Sequence, residues 1–217
     1  MLFTQVEEAV ARMPGVTGVT SSLVPLLAGD NWGSDVRVQG FAAGPDVDNN
    51  ARFNEVGAGY FNTLGIHLLS GREFTASDRL GAANVAIVNE AFAKKFNLGR
   101  DAVGKFMGSG PGDSLNIQIV GLVQNAKYSE VKDEVPALFF TPWAQDHHIG
   151  PMNFYVRTSL PLAHLVHDVP GVITAIADGL PLEDLRTMPQ QLRHTTFPRR
   201  MTTLLSRAVS LPALLPL

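Results

Sequence analysis

The residues that could do chemistry in this chain are few and widely separated. Two pairs of acidic residues, Asp46 with Asp48 and Glu183 with Asp184, could supply the acid and base of a hydrolase. Each pair lies in a polar segment typical of a loop, where carboxylates are normally solvated. A hydrolase that uses acidic residues is therefore the least favoured of the functions that we consider.

Other catalytic centres have still less support. The chain has no cysteine, which excludes thiol catalysis and disulfide bonds. Ser70 lies outside any Gly-x-Ser-x-Gly motif, and residues 108–113 are rich in glycine but lack the Lys-Ser/Thr of a phosphate-binding loop. His164 and His167 are three residues apart without a third ligand at a zinc-enzyme spacing. We predict no catalytic residue, no metal site and no cofactor.

Composition narrows the class of partner. The 217 residues are 45% hydrophobic and carry a net charge of −3, which is enough apolar material for a sizeable core. Basic runs stop at two residues, in 94–95 and 199–200, so nucleic acid is not an expected partner. The most apolar stretch, near the C-terminus, is interrupted by Arg207, Pro212 and Pro216, and we expect no membrane-spanning segment in it.

Hydrophobic periodicity predicts short helices alternating with strands. A first helix runs from Leu2 to about Met13 and stops at Pro14, and a long apolar helix covers 160–180 with a kink at Pro170. The apolar stripe of that long helix is Leu162, Leu165, Val166, Val169, Ile173 and Ile176. Strands are predicted at 16–25, 36–41, 52–57, 66–71, 84–89, 116–125, 137–143, 152–158 and 185–188, with a last helix from 189.

The stretch GYFNTLGIHLLSGREFTASD, residues 59–78, has the aromatic and glycine content that often surrounds a catalytic loop. Because no nucleophile, metal set or phosphate cradle accompanies it, we interpret it as structural. Tyr60, Phe61 and Leu64 are expected to pack one short helix into the middle part of the chain, which we interpret as an inserted subdomain, and Gly65 is expected to end that helix in the left-handed conformation. Phe74 belongs to the same motif.

Polar residues of this region have predicted structural roles as well. Gly71 and Arg72 form a turn, in which the Arg72 guanidinium is expected to hold backbone carbonyls or the Asp78 carboxylate in a fixed fork. Asn89 precedes a predicted helix and is expected to cap its first free amides.

Four stretches in a fixed order resemble a known family. They are GYFNTLGIHLLSGREFTASD, VAIVNEAFAKKF, DAVGKFM and IQIVGLVQNAKYSEVKDEVPALFFTPWAQ. Together they resemble the extracytoplasmic core domain of MacB/FtsX-type ABC transporter permeases. The likeness covers roughly residues 1–205, and the ordered series is more specific than any of its motifs.

The resemblance implies an α+β fold with two subdomains. A porter-like α/β layer is built from residues 1–55 and 146–205, and a smaller mixed α/β subdomain, residues 56–145, is inserted between them. The order of predicted elements agrees with this division. Residues 206–217 depart from the family pattern, and we expect them to be a truncated boundary or a tail.

The same resemblance implies a non-catalytic function outside the cytoplasm. In this family the domain lies between the first and second membrane helices of the permease, on the periplasmic or outer side of the cytoplasmic membrane. ATP-driven movement reaches it by mechanotransmission from a separate or fused ATPase domain. The implied partners are those membrane helices, that ATPase domain, and a periplasmic adaptor or an exported substrate; the parent transporter is expected to be a dimer.

Two alternatives to a transporter domain remain. One is a stand-alone extracytoplasmic binding or scaffold protein of the same fold, and the other is the hydrolase already described. Trp32 and Trp143 are the candidate aromatic residues of a partner surface, but packing of each loop against its own subdomain is the favoured interpretation, because scattered surface aromatics are normal.

Overall fold

Nine strands, four helices and a further helical segment at 188–193 make up just over half of the described part of the chain. The computed structural model describes residues 2–29, 32–42, 44, 46–110, 114–128, 134–176 and 185–193. The helices are α1 (Leu2–Ala11), α2 (Tyr60–Leu64), α3 (Glu90–Lys95) and α4 (Leu162–Ile176). The strands are β1 (Val16–Ser22), β2 (Gly33–Val38), β3 (Asn50–Val56), β4 (Leu68–Gly71), β5 (Val85–Asn89), β6 (Phe106–Ser109), β7 (Ile117–Val123), β8 (Leu138–Pro142) and β9 (Asn153–Thr158). The predicted mixture of helices and strands is confirmed.

Six of the strands pair in a closed circuit, which we call the ring. Its order is β2, β6, β7, β5, β8, β3 and back to β2. The first half of β2 pairs with β3 and its second half pairs with β6. The two partners lie on opposite edges of β2. The amide of Val36 donates to the Asn49 carbonyl before β3, whereas the Asp35 carbonyl accepts from Gly110 after β6.

The remaining long elements form a second body, which we call the helix unit: α1, β1, β9 and α4. Strand β9 pairs antiparallel with β1 over six residue pairs, and both helices pack on these two strands. The turn after α1 meets the turn before α4, since the Ser159 amide donates to the Gly15 carbonyl. The two helices are therefore antiparallel, and the start of α1 lies at the same end as the last turn of α4.

Successive side chains of the ring strands point to opposite faces of the sheet, and each face carries its own apolar cluster. On β5, Ala86 and Val88 face a cluster that includes α3, whereas Val85 and Ile87 face a cluster that includes α2. A third cluster fills the helix unit around Val6, Val10, Val169 and Ile173. Burial of both faces explains why the first four residues of β5, 85–88, are all apolar.

Some sequence predictions differ from the structure. Residues 185–188 do not form a strand; residues 188–193 are helical, because Thr187 and Gln190 cap that helix through reciprocal hydrogen bonds. In α4, Leu162 and Val166 of the predicted apolar stripe are exposed, since α1 covers the later turns around Val169. In the described residues no helix is both long and apolar enough to cross a membrane.

The predicted subdomain boundaries stay a prediction. Strands β2 and β3 belong to the predicted first segment, 1–55, yet they pair with β6 and β8 of the predicted middle segment. The two predicted subdomains thus share one nine-stranded sheet. The predicted tail, 206–217, and the acidic pair Glu183 and Asp184 lie outside the described residues.

Candidate functional site

An ion pair closes the loop between β4 and β5. Arg72 donates from Nη1 to Asp78 Oδ2 at 2.7 Å and from Nη2 to Asp78 Oδ1 at 2.8 Å. The Thr75 amide adds a bond to Asp78 Oδ2. Burial alone would raise the pKa of Asp78, but these hydrogen bonds from Arg72 and Thr75 outweigh it and hold the pKa below its usual value. The expected fork between Arg72 and Asp78 is present.

Gly71 is required where this loop leaves β4. Its φ is +79°, and a Cβ at this position would overlap the Val120 carbonyl oxygen on β7. The neighbouring amide of Arg72 donates to the same carbonyl. The glycine therefore allows the loop backbone to approach β7 closely.

Glu73 links this loop to helix α2, a contact that the sequence did not reveal. The helix starts after Gly59, which has no side chain to cap it. Instead, Glu73 Oε1 accepts from the amides of Phe61, at 2.7 Å, and Asn62, at 3.3 Å. A carboxylate at this position satisfies free amides and complements the helix dipole. Gly65 ends α2 as predicted, with φ +73°.

The aromatic residues of the motif lie in the core between the ring and the helix unit. Tyr60, Phe61 and Phe74 are all buried. The Tyr60 ring contacts Phe140 of β8 and Tyr155 of β9, with centroids 5.9 and 6.2 Å apart. The Tyr60 hydroxyl has no hydrogen-bond partner among the described residues. Tyr60 therefore joins the two bodies through ring contacts.

Asn89 caps α3 as the sequence predicts and also holds a neighbouring strand. Its Oδ1 accepts from the amides of Phe92, at 2.8 Å, and Leu138, at 3.0 Å. Its Nδ2 donates to the Pro136 carbonyl at 2.9 Å. The side chain thus fixes the start of α3 against the start of β8.

The two tryptophans do not form one surface. Trp32 is 48% exposed and packs its ring edge on Phe53. Trp143 is only 5% exposed, so it does not contribute to a partner surface. The turn after β8 folds Trp143 under α1, where its ring meets Phe3 at 6.3 Å between centroids. Of the two, Trp32 keeps the exposure that a partner contact requires.

Carboxyl groups with raised pKa values lie where the helix unit meets the ring. Burial, and then the neighbouring Asp146, raise the pKa of Glu55 on β3 to about 7. Burial also raises the pKa of Glu7 on α1, against the opposing effect of the 2.5 Å hydrogen bond from Ser21 Oγ. Neither carboxyl was singled out from the sequence, because each acquires its environment from residues distant in the chain.

A groove about 590 Å³ in volume separates β4 from α3. Its lining residues are Leu69, Ser70, Glu90, Ala93, Lys94, Gly99, Arg100 and Leu122. The groove contains neither Glu55 nor the acidic pair Asp46 and Asp48. Within the described ranges, no group of three or more metal-ligating side chains is assembled.

Comparison with known proteins identifies the family. The family model of the MacB-like periplasmic core domain matches residues 3–164, three quarters of the chain. A comparison with curated proteins finds no significant match.

Solved structures share the fold at low sequence identity. The periplasmic region of MacB from Actinobacillus actinomycetemcomitans is 15% identical, with a TM-score of 0.54 over 80% of this chain and 73% of that one. The extracellular domain of the noncanonic ABC-type transporter YknZ from Gram-positive bacteria is 16% identical, with a TM-score of 0.50 over 79% and 78%. A domain of a permease protein from Porphyromonas gingivalis is 17% identical, with a TM-score of 0.53 over 87% and 84%. The chain belongs to the MacB-like periplasmic core domain family.

Proposed function

We propose that this domain transmits ATP-driven movement from the membrane helices of its permease to a substrate or partner outside the cytoplasm. In this proposal the domain is not an enzyme. The helix unit receives the movement, and the ring presents the surface that acts on the substrate or partner. ATP hydrolysis takes place in a separate or fused cytoplasmic domain.

The observation that carries the proposal is the narrow connection between the two bodies. Strand β1 pairs with β9 inside the helix unit through six residue pairs, but with β3 of the ring through one, Ser22 with Val56. Around that pair the junction is held by a few hydrogen bonds, such as those from the Gly57 amide to the Ser21 carbonyl and from the Leu23 amide to the Glu55 carbonyl, and by aromatic contacts of Tyr60. Such a junction favours rigid-body movement of one unit against the other.

The direction of the helices supports the same proposal. Because α1 and α4 are antiparallel, the start of α1 and the end of α4 point to the same side of the helix unit. Membrane helices on either side of this domain would then meet one end of one packed pair. Val6, Val10, Val169 and Ile173 hold that pair together, so a push on either helix moves both.

The acidic residues give little support to a hydrolase. Asp48 is exposed and pairs with Lys95 Nζ at 2.8 Å, and Asp46 is exposed in the same loop. Glu55 and Asp146 do form an interacting carboxyl pair, but neither lines the groove beside β4. A catalytic pair needs a cleft that holds substrate between the two groups.

The sequence on either side of this domain in its gene tests the transporter proposal. We expect an apolar span of about 20 residues before residue 1 and another after the domain, together with a fused or adjacent ATPase. A reading frame with a cleavable signal sequence and no spans would contradict the proposal and favour a stand-alone binding protein. A hydrolase requires in addition that the purified chain cleaves a substrate in a broad hydrolase screen.

A further inference from the structure

The groove between β4 and α3 has an apolar floor open to solvent. Leu122 and Ala93 are buried at its base, and Leu69 forms one wall with 49% of its surface exposed. Its volume of about 590 Å³ is within the range of ligand-binding clefts, roughly 300–1,000 Å³. Exposed leucine beside a concave apolar floor is the usual form of a site that takes up apolar side chains.

The β4 strand extends this apolar surface beyond the groove. Leu68 is exposed as well, although successive strand residues normally face opposite sides. The register against β7 shifts between Leu68 and Ser70, so Leu69 is the extra residue of a bulge. Bulges re-aim a side chain, and this one turns Leu69 toward α3. Val103, also exposed, lies beside Gly71 at the end of the strand.

The rim of the groove is basic, although the chain as a whole carries a net charge of −3. Lys94 and Arg100 line it, and neither has an ion-pair partner among the described residues. The one acidic residue of the lining, Glu90, accepts a hydrogen bond from the Asn125 amide. By contrast, Lys95 is occupied by Asp48 and the Asn50 carbonyl.

Helix stability explains only part of this arrangement. Lys94 in the last turn of α3 complements the helix dipole. Arg100 lies five residues beyond Lys95, where that dipole no longer acts, and yet it lines the same groove. Two such cations above an apolar floor are complementary to a ligand that combines acidic and apolar groups.

We propose that this groove binds an extended segment of a partner protein in which leucine-like side chains alternate with acidic side chains. The apolar side chains contact Leu69, Leu122 and Ala93, and the carboxylates pair with Lys94 and Arg100. The proposal rests on the proposed function only in placing the partner outside the cytoplasm. It identifies a place next to β7 of the ring at which the domain contacts its partner.

Fluorescence anisotropy with two labelled hexapeptides tests this site on the 217-residue chain. One peptide alternates leucine with glutamate, and the other alternates leucine with lysine. We expect the acidic peptide to bind about tenfold more tightly, which corresponds to two exposed ion pairs near the upper end of their usual strength. The double variant Lys94→Glu, Arg100→Glu should reverse this preference, whereas Lys105→Glu with Arg79→Glu, which changes two exposed cations elsewhere, should leave it unchanged.

Thiol protection locates the peptide on the surface. Because the chain has no cysteine, Leu68→Cys, which lies next to the groove but outside its lining, and Leu80→Cys each introduce a unique and exposed thiol. The acidic peptide should slow maleimide labelling at position 68 and leave labelling at position 80 unchanged, with each variant first shown to melt near the wild-type temperature. Absence of binding, equal binding of both peptides, or equal protection at both positions overturns the proposal. None of these measurements uses membranes or ATP, so their outcome is independent of the mechanotransmission test.

Discussion

Arg72 and Asp78 are joined by two parallel hydrogen bonds, and their exposures differ sharply. The Arg72 side chain is 46% exposed, whereas that of Asp78 is 6% exposed. The arginine therefore neutralises a carboxylate that the chain itself has buried. The stability of the loop after β4 therefore depends on the guanidinium of Arg72.

We expect Arg72→Ala to destabilise the domain by about 1–2 kcal/mol, which lowers Tm by roughly 2–8 °C in a chain of this size. The value is less than that of a fully buried pair because solvent screens the exposed guanidinium. Thermal unfolding followed by circular dichroism measures the effect, with Arg79→Ala, a nearby exposed arginine, as the control. Unchanged melting of Arg72→Ala together with lost partner binding would show that Arg72 has a functional role instead.

Gly71→Ala should be among the most harmful single-methyl additions in the domain. The new Cβ would meet the Val120 carbonyl, and the left-handed φ adds its own cost, so we expect a loss of about 3 kcal/mol or more. Gly81→Ala is the matched control, because Gly81 has a φ of +86° but no atom within 4 Å of the position that its new Cβ would occupy. The free energy of unfolding of Gly81→Ala should fall by only about 1 kcal/mol. If urea unfolding shows that Gly71→Ala and Gly81→Ala lose the same free energy of unfolding, the close approach of Gly71 to β7 is contradicted.

Glu73→Ala should remove the cap of α2 and cost about 1 kcal/mol. Glu73→Gln retains an acceptor for the Phe61 and Asn62 amides while losing the charge, so its loss should be smaller. Urea unfolding of the two variants separates hydrogen bonding from charge. If Glu73→Ala is as stable as the wild type, water or another group must accept the hydrogen bonds of the Phe61 and Asn62 amides.

Local signals in the sequence predicted the features that depend on neighbouring residues. Asn89 before an apolar helix and Gly65 after YFNTL indicate a cap and a helix end by their own chemistry, and both are present. The fork between Arg72 and Asp78 joins residues only six apart, so it too could be predicted from the sequence.

Features that join distant segments could not be predicted in this way. Trp143 is buried because Phe3, from the start of the chain, lies over it. The ring closes because β2 pairs with two strands that are far apart in the chain, and no periodicity in β2 encodes that choice. The groove beside β4 likewise depends on a bulge and on the packing of α3, which only the tertiary structure specifies.

Stability should fall as pH rises through the range in which Glu55 ionises. Its pKa is about 7 in the folded chain against 4.5 ordinarily, so between these values the unfolded state binds fewer protons and the unfolding free energy decreases with pH. Because Glu55 is partly exposed, we expect its ionisation to lower the unfolding free energy by only roughly 1–2 kcal/mol between about pH 5 and pH 8.

Glu55→Gln should flatten most of that pH dependence, while the raised pKa of Glu7 leaves a residual slope of the same sign. Glu8→Gln, which alters an exposed carboxylate paired with Arg12 on α1, should keep the wild-type slope. Urea unfolding at about pH 5, 6, 7 and 8 provides the comparison. A Glu55→Gln slope identical to that of the wild type would show that Glu55 is ionised throughout.

If ATP moves the helix unit relative to the ring, the distance between the two bodies must change in the complete transporter. Spin labels on Val166→Cys in α4 and Leu115→Cys before β7 report the distance between the two bodies; labels on Leu80→Cys and Leu115→Cys report a reference distance that excludes the helix unit. Electron spin resonance of the reconstituted permease, with and without ATP, should show a change in the first distance and none in the second. An unchanged distance between positions 166 and 115 during ATP turnover would contradict mechanotransmission through this domain.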